Sequence, residues 1–153
     1  NFNNEKWQSH FNINLKAPAI LSSEFFKQKK NKNANIINII DQRVFKLTPY
    51  FLSYTLSKAG LQTLTTVLAM KFAPNIRVNA IAPGPVMKGE RQSKTHFKKQ
   101  FKNTILKKQV KTKDICNTLE FIINNDSITG LTIPVDSGQN IGWKTPDLIN
   151  IKE

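Results

Sequence analysis

The sequence predicts an α/β fold, a parallel sheet covered on both faces by helices. Three observations carry that reading. Short apolar runs at residues 34–40, 76–81 and 131–135 alternate with longer stretches of helical period. The first run is rich in β-branched residues and has no clean polar alternation, the pattern of a strand buried on both faces. Breaks at Pro49, Pro74-Asn75, Pro83-Gly84-Pro85 and Thr129-Gly130 separate the elements.

Each element has its own signal. Over residues 5–30, Trp7, Phe11, Leu15, Ile20, Leu21, Phe25 and Phe26 recur near a helical spacing, and Pro18 predicts a kink or break. Residues 34–40 follow as strand, and residues 51–72 read as a second long helix. Strand resumes over 76–81. The lysine-rich stretch 88–111 spaces Phe97, Phe101, Ile105 and Leu106 for one amphipathic face. Residues 114–124 predict a further helix, with Thr112 a candidate cap, before the last strand at 131–135.

The 153 residues suffice for one domain with a real core, spanning 1–153. No uninterrupted apolar run is long enough to cross a membrane, and no signal peptide opens the chain. The formal charge of +13 comes from 20 scattered lysines and 3 arginines against 10 acidic residues. That pattern allows nonspecific attraction to polyanions in low salt but carries no specific nucleic-acid motif. Cys116 is the single cysteine, so no internal disulfide forms, and its apolar neighbours Ile115, Leu119 and Ile122 predict a buried thiol. His10 and His96 lack metal-ligand spacing, and no metal is expected. A cytoplasmic setting fits this cysteine usage.

Tyr54 and Lys58 lie four residues apart in the second helix, on one face. Asp41 closes the first strand, thirteen positions before Tyr54. A nearby ammonium favours phenolate, so the spacing predicts a tyrosine pKa drawn down from about 10. Such a group exchanges a proton with a substrate oxygen or nitrogen. Ligands of open α/β sheets bind beyond the carboxyl ends of the strands, where Asp41 and Pro83-Gly84 both fall. Plainer readings stand beside these. Tyr54 and Lys58 could be a simple helical pair, Asp41 could bond the amides of its own turn, and Pro83-Gly84 could only turn the chain.

Four blocks resemble the short-chain dehydrogenase/reductase family. Tyr54-Thr55-Leu56-Ser57-Lys58-Ala59 resembles its Tyr-x-x-x-Lys signature, and residues 76–86 resemble the strand and turn beside the nicotinamide. Asn14-Leu15 is similar to the Asn-Leu of the preceding helix, and residues 131–138 to the closing strand with its Val-Asp-x-Gly. The resemblance implies a Rossmann-like, doubly wound parallel sheet. Most of the family has serine where Asp41 stands; aspartate there resembles the pteridine reductase and dihydromonapterin reductase branch. That branch implies NADP as cofactor, with NAD the alternative, and hydride transfer to a pterin-like small molecule with Tyr54 as proton donor. The carboxylate suits a nitrogen heterocycle, whose N–H it can accept.

By the same resemblance Lys58 also holds the nicotinamide ribose, and Asn14 supports a water-linked proton path at the helix break. The backbone at Pro83, Gly84 and Val86 meets the carboxamide. Val86 replaces a hydroxyl residue frequent at that place. The long helices resemble those that pair subunits, implying a homodimer or homotetramer. None of the six glycines forms the family's Gly-rich phosphate turn. The expectation is therefore a carboxyl-terminal fragment that lacks the amino-terminal cofactor-binding half and is inactive alone. The other reading is a non-catalytic relic of the same fold. Asn14 could equally face solvent, the lysine-rich stretch could be a solvated face, and Trp143 is expected in packing or a subunit contact.

Overall fold

The computed structural model describes residues 2–28, 33–90 and 92–143. It contains helices α1 (Asn4–Phe11) and α2 (Ala17–Lys27), joined without a break by a π-helical segment, Asn12–Lys16. Strand β1 (Ala34–Ile39) leads through a 3-10 turn, Gln42–Val44, to α3 (Leu52–Phe72). Then come β2 (Ile76–Pro83), α4 (Lys94–Lys102), α5 (Thr112–Ile123) and β3 (Thr132–Val135). The three strands form one parallel sheet in the order β1-β2-β3. The α/β class read from the sequence is the observed one.

The alternation of β2 explains why helices cover both sides. Successive side chains of a strand point to opposite faces. Ile76, Val78, Ala80 and Ala82 meet Leu61, Leu68, Ala69 and Phe72 of α3, with Leu64 packed against both halves of this core. The intervening Arg77, Asn79 and Ile81 face α5. Arg77 donates to the carbonyls of Ile122, Ile123 and Ile128 at 3.0 Å each, capping the end of α5 and the turn beyond it. Asn79 is wholly buried, donates to the Ile128 carbonyl and accepts from Leu131 N–H. Its amide thereby ties β2 to the start of β3.

Several local expectations are corrected. The break at Pro18 is a π-helical segment one turn earlier: Ala17 N–H bonds to the Asn12 carbonyl, because Pro18 has no N–H to offer the Asn14 carbonyl. The first helix ends at Lys27; residues 29–32 lie outside the described residues. β1 is only part-buried rather than buried on both faces: most of its residues are half-exposed, and Ile39 is 46% exposed. The 88–111 stretch is helical only over α4, after which Ile105 and Leu106 sit exposed in turns. Thr112 does not cap α5; Asp114 does so, accepting from Lys111 N–H at 2.8 Å. Cys116 is exposed, because the inward stripe of α5 follows Ile115, Thr118, Leu119 and Ile122, and residue 116 lies to its side.

Arg77→Ala should cost about 2 kcal/mol, the scale of losing charge-assisted bonds to otherwise unpaired carbonyls. Urea unfolding should show this as a lower midpoint at unchanged slope. An unchanged midpoint would mean that α5 holds its end without the guanidinium.

Candidate active site

The carboxyl end of β1 delivers Asp41, and the first turn of α3 delivers Tyr54. The Tyr54 hydroxyl donates to Asp41 Oδ2 at 2.9 Å. Asp41 Oδ1 accepts from Arg43 N–H at 2.8 Å, so the same carboxylate caps the 3-10 turn and holds the phenol. The turn-capping alternative and the pairing with Tyr54 are thus both true, one oxygen for each. Lys58, one turn further along α3, donates to the Ile39 carbonyl at 2.9 Å, and its Nζ lies 6.0 Å from the Tyr54 ring centre.

The electrostatics overturn one expectation. The Tyr54 hydroxyl is pushed far above the ordinary phenol range, first by burial, then by the negative charge of Asp41 and by its hydrogen bond to that carboxylate; Arg43 pulls weakly the other way. Lys58 does not draw it down. Its ammonium is spent on a backbone carbonyl, while Asp41 stands closer to the phenol. Burial in turn lowers the pKa of Lys58 itself, against an opposing pull from Asp41. In this state Tyr54 is a neutral phenol that holds its proton.

α1 and its π-helical continuation run beside α3 in a fixed register. His10 Nδ1 lies 2.8 Å from Ser53 Oγ, Asn14 Nδ2 donates to Ser57 Oγ at 3.0 Å, and Leu15 packs on Gly60. A Cβ at Gly60 would fall 2.9 Å from Leu15 Cδ2, so a larger residue there would make the leucine side chain shift. The Ser57 hydroxyl in turn donates a hydrogen bond to the Tyr54 carbonyl at 2.8 Å. Asn14 is therefore half-buried and tethered to the turn that carries Tyr54, not turned to solvent.

A cleft of about 1490 Å³ opens over this edge of the sheet. Tyr54, His10, Gln42, Arg43 and Phe51 form one wall, and the segments 102–107 and 139–143 form another. Of the turn residues, Gly84 lines the cleft, whereas Pro83 closes β2 and the Val86 carbonyl is taken up by Gln109 at 2.6 Å. Gly84 is sterically required: a Cβ there would lie 2.6 Å from Asp136 Cα. Trp143 is 61% exposed and lines the cleft rather than packing into the core.

Sequence reasoning missed His10, Arg43 and Phe51. The His10 ring meets Tyr54 edge-on at 5.7 Å, and its spacing of four from Asn14 was the available signal. The Arg43 guanidinium lies 4.4 Å from the centre of the Phe51 ring. Phe51 enters α3 at φ +60°, a left-handed conformation rare for a bulky residue and one that no local motif announces.

A family profile described as enoyl-(acyl carrier protein) reductase matches residues 1–140. The chain belongs to the short-chain dehydrogenase/reductase family. Among solved structures, FolM alternative dihydrofolate reductase 1 from Brucella suis, in complex with NADP, superposes with a TM-score of 0.93 at 42% identity. That match covers 96% of this chain and 60% of the other. Among curated relatives, protein FixR of Bradyrhizobium diazoefficiens is 30% identical, covering 90% of this chain and 50% of its own length. Dihydromonapterin reductase of Klebsiella pneumoniae is 27% identical, covering 83% and 54%. The chain spans about half the length of the curated relatives it matches. Among the described residues no helix is long and apolar enough to cross a membrane, and no cluster of three potential metal ligands occurs.

In a Tyr50→Phe background Tyr54 is the sole phenol, because the chain has two tyrosines. Its ultraviolet titration should lie above the ordinary value of about 10. The Asp41 charge and its hydrogen bond both raise the Tyr54 pKa; Asp41→Asn removes the first and weakens the second, so the titration should move down. A titration indifferent to Asp41→Asn would show that burial alone holds the proton.

Proposed function

We propose that this chain carries the catalytic part of an NADP-dependent reductase acting on pterin-like heterocycles. The observation that carries this reading is the 2.9 Å bond from the Tyr54 hydroxyl to Asp41, with Lys58 one helical turn away. The names of the FolM and dihydromonapterin reductase relatives support the pterin class, and the NADP held by FolM supports that cofactor.

The residues present suit a nicotinamide dinucleotide. Lys58 Nζ retains N–H groups beyond its bond to Ile39, and these suit the hydroxyls of a ribose. The Val86 N–H has no partner among the described residues, so it is a free donor for the carboxamide oxygen beside Pro83 and Gly84. Bound NADPH would supply the hydride. Tyr54 supplies a proton from its hydroxyl to a ring nitrogen of the substrate as that nitrogen gains electron density. The resulting phenolate is stabilised by the guanidinium of Arg43, the cation that already opposes Asp41 at the phenol. Asp41 orients the phenol and accepts a heterocycle N–H, a role that a serine could not fill as an anion. Asn14, through Ser57, fixes the turn that aims Tyr54 and stands where a water relay would refill its proton.

The exposed stripe Leu52, Leu56, Val67 and Met70 on α3, with Ile13 beside it, supports pairing of two copies through these helices. Size-exclusion chromatography with light scattering should return a dimer or tetramer mass, and a monomer mass would remove this part of the reading.

NADPH binding should be titrated by tryptophan quenching on this chain and on the full product of its reading frame. Binding by the longer product is expected. Tyr54→Phe should then lower reduction of a dihydropterin by about 10²–10⁴-fold while sparing NADPH binding. Failure of both proteins to bind would favour the non-catalytic reading.

A further inference from the structure

The wall of the cleft that faces away from the catalytic trio carries charge that the reaction does not use. Four permanent cations line the cleft, Arg43, Lys46, Lys102 and Lys107, against the single carboxylate of Glu90. Two of the four are occupied. Arg43 sits over Phe51 with its Nε 3.9 Å from Asp41 Oδ1, and Lys46 donates to the Gly142 carbonyl. The side-chain ammonium groups of Lys102 and Lys107 have no hydrogen-bond or ion-pair partner among the described residues.

The segment that presents these two lysines is held in place. Leu106 N–H donates to the Ser137 carbonyl at 3.0 Å, and Ile105 packs so closely on Gly138 that a Cβ there would meet it at 2.8 Å. Lys107 itself is fixed in the left-handed region at φ +52°, with its N–H bonded to the Thr104 carbonyl. The whole chain is basic, so positive charge alone distinguishes nothing. What singles out Lys102 and Lys107 is their place on an ordered cleft wall, unpaired, in the cavity that holds Tyr54. Both side chains are exposed to solvent, and a surface rich in one sign of charge raises the local concentration of ligands of the other.

We propose that Lys102 and Lys107 form an anion subsite that selects reduced pterins carrying a carboxylate-bearing tail over those with a neutral tail. This deepens the pterin-reductase reading and rests on it. In terms of the two substrate names among the relatives, the subsite favours dihydrofolate, with its glutamate carboxylates, over dihydromonapterin, whose side chain is an uncharged polyol. The contact is electrostatic, so it acts on substrate capture and leaves the chemical step to Tyr54.

The test compares the two substrates in NADPH-consumption assays on the full product of the reading frame. The Lys102→Glu/Lys107→Glu variant should lower kcat/KM for dihydrofolate about tenfold more than for dihydromonapterin, through KM. Raising the salt should erode the wild-type preference in the same sense. Equal loss on both substrates, or a change confined to KM for NADPH, overturns the proposal; the latter would assign the lysines to the dinucleotide phosphates. Absence of turnover with either substrate faults the reductase reading instead. The subsite is then judged by quenching of Trp143, which lines the cleft, in a Trp7→Phe background. Salt-sensitive binding of dihydrofolate over dihydromonapterin, lost in the double variant, upholds it, and indifferent binding removes it.

Discussion

β2 has a parallel partner along each edge and a helix against each face, so water reaches almost none of it. Its polar groups must then be satisfied by protein. Small residues at Ala80 and Ala82 let α3 approach one face, while Arg77 and Asn79 bond the backbone beyond α5 on the other. This arrangement sets where β1, β3 and α3 lie, and with them the edge at which Asp41, Tyr54 and Gly84 gather.

The site uses charge in two distinct ways. Around Tyr54, burial and the Asp41 carboxylate favour the neutral phenol, so the resting group keeps its proton. Across the cleft, lysines without acidic partners create an attractive field at a distance from the chemistry. One set of charges holds a proton and the other draws a ligand. Arg43 stands between the two, opposing Asp41 at the phenol while its guanidinium lies over Phe51 at the rim.

The π-helical segment shows how a backbone irregularity can serve position. Pro18 removes one amide donor, the helix widens by one residue, and Asn14 turns toward Ser57. The adjoining contact of Leu15 with Gly60 then fixes the separation of the two helices. Tyr54 is thereby aimed from two sides, by Asp41 at its hydroxyl and by the Asn14–Ser57 pair at its carbonyl.

Much of this was legible in the sequence. The alternation of elements, the parallel sheet and the grouping of Asp41, Tyr54 and Lys58 follow from periodicity, turn residues and a helical spacing of four, all local properties of the chain. The resemblance added Asn14 and the Pro83-Gly84 turn. Where reading failed, the deciding quantity was not local. The exposure of Cys116 and of β1 depended on which neighbours cover them, and the length of α4 depended on where residues 104–107 docked on the loop after β3. The direction of the Tyr54 shift depended on burial and on Asp41 being nearer than Lys58, distances that spacing along a helix does not contain. Spacing says which residues share a face; only the packed structure decides which charge lies closest and how much water is left between them.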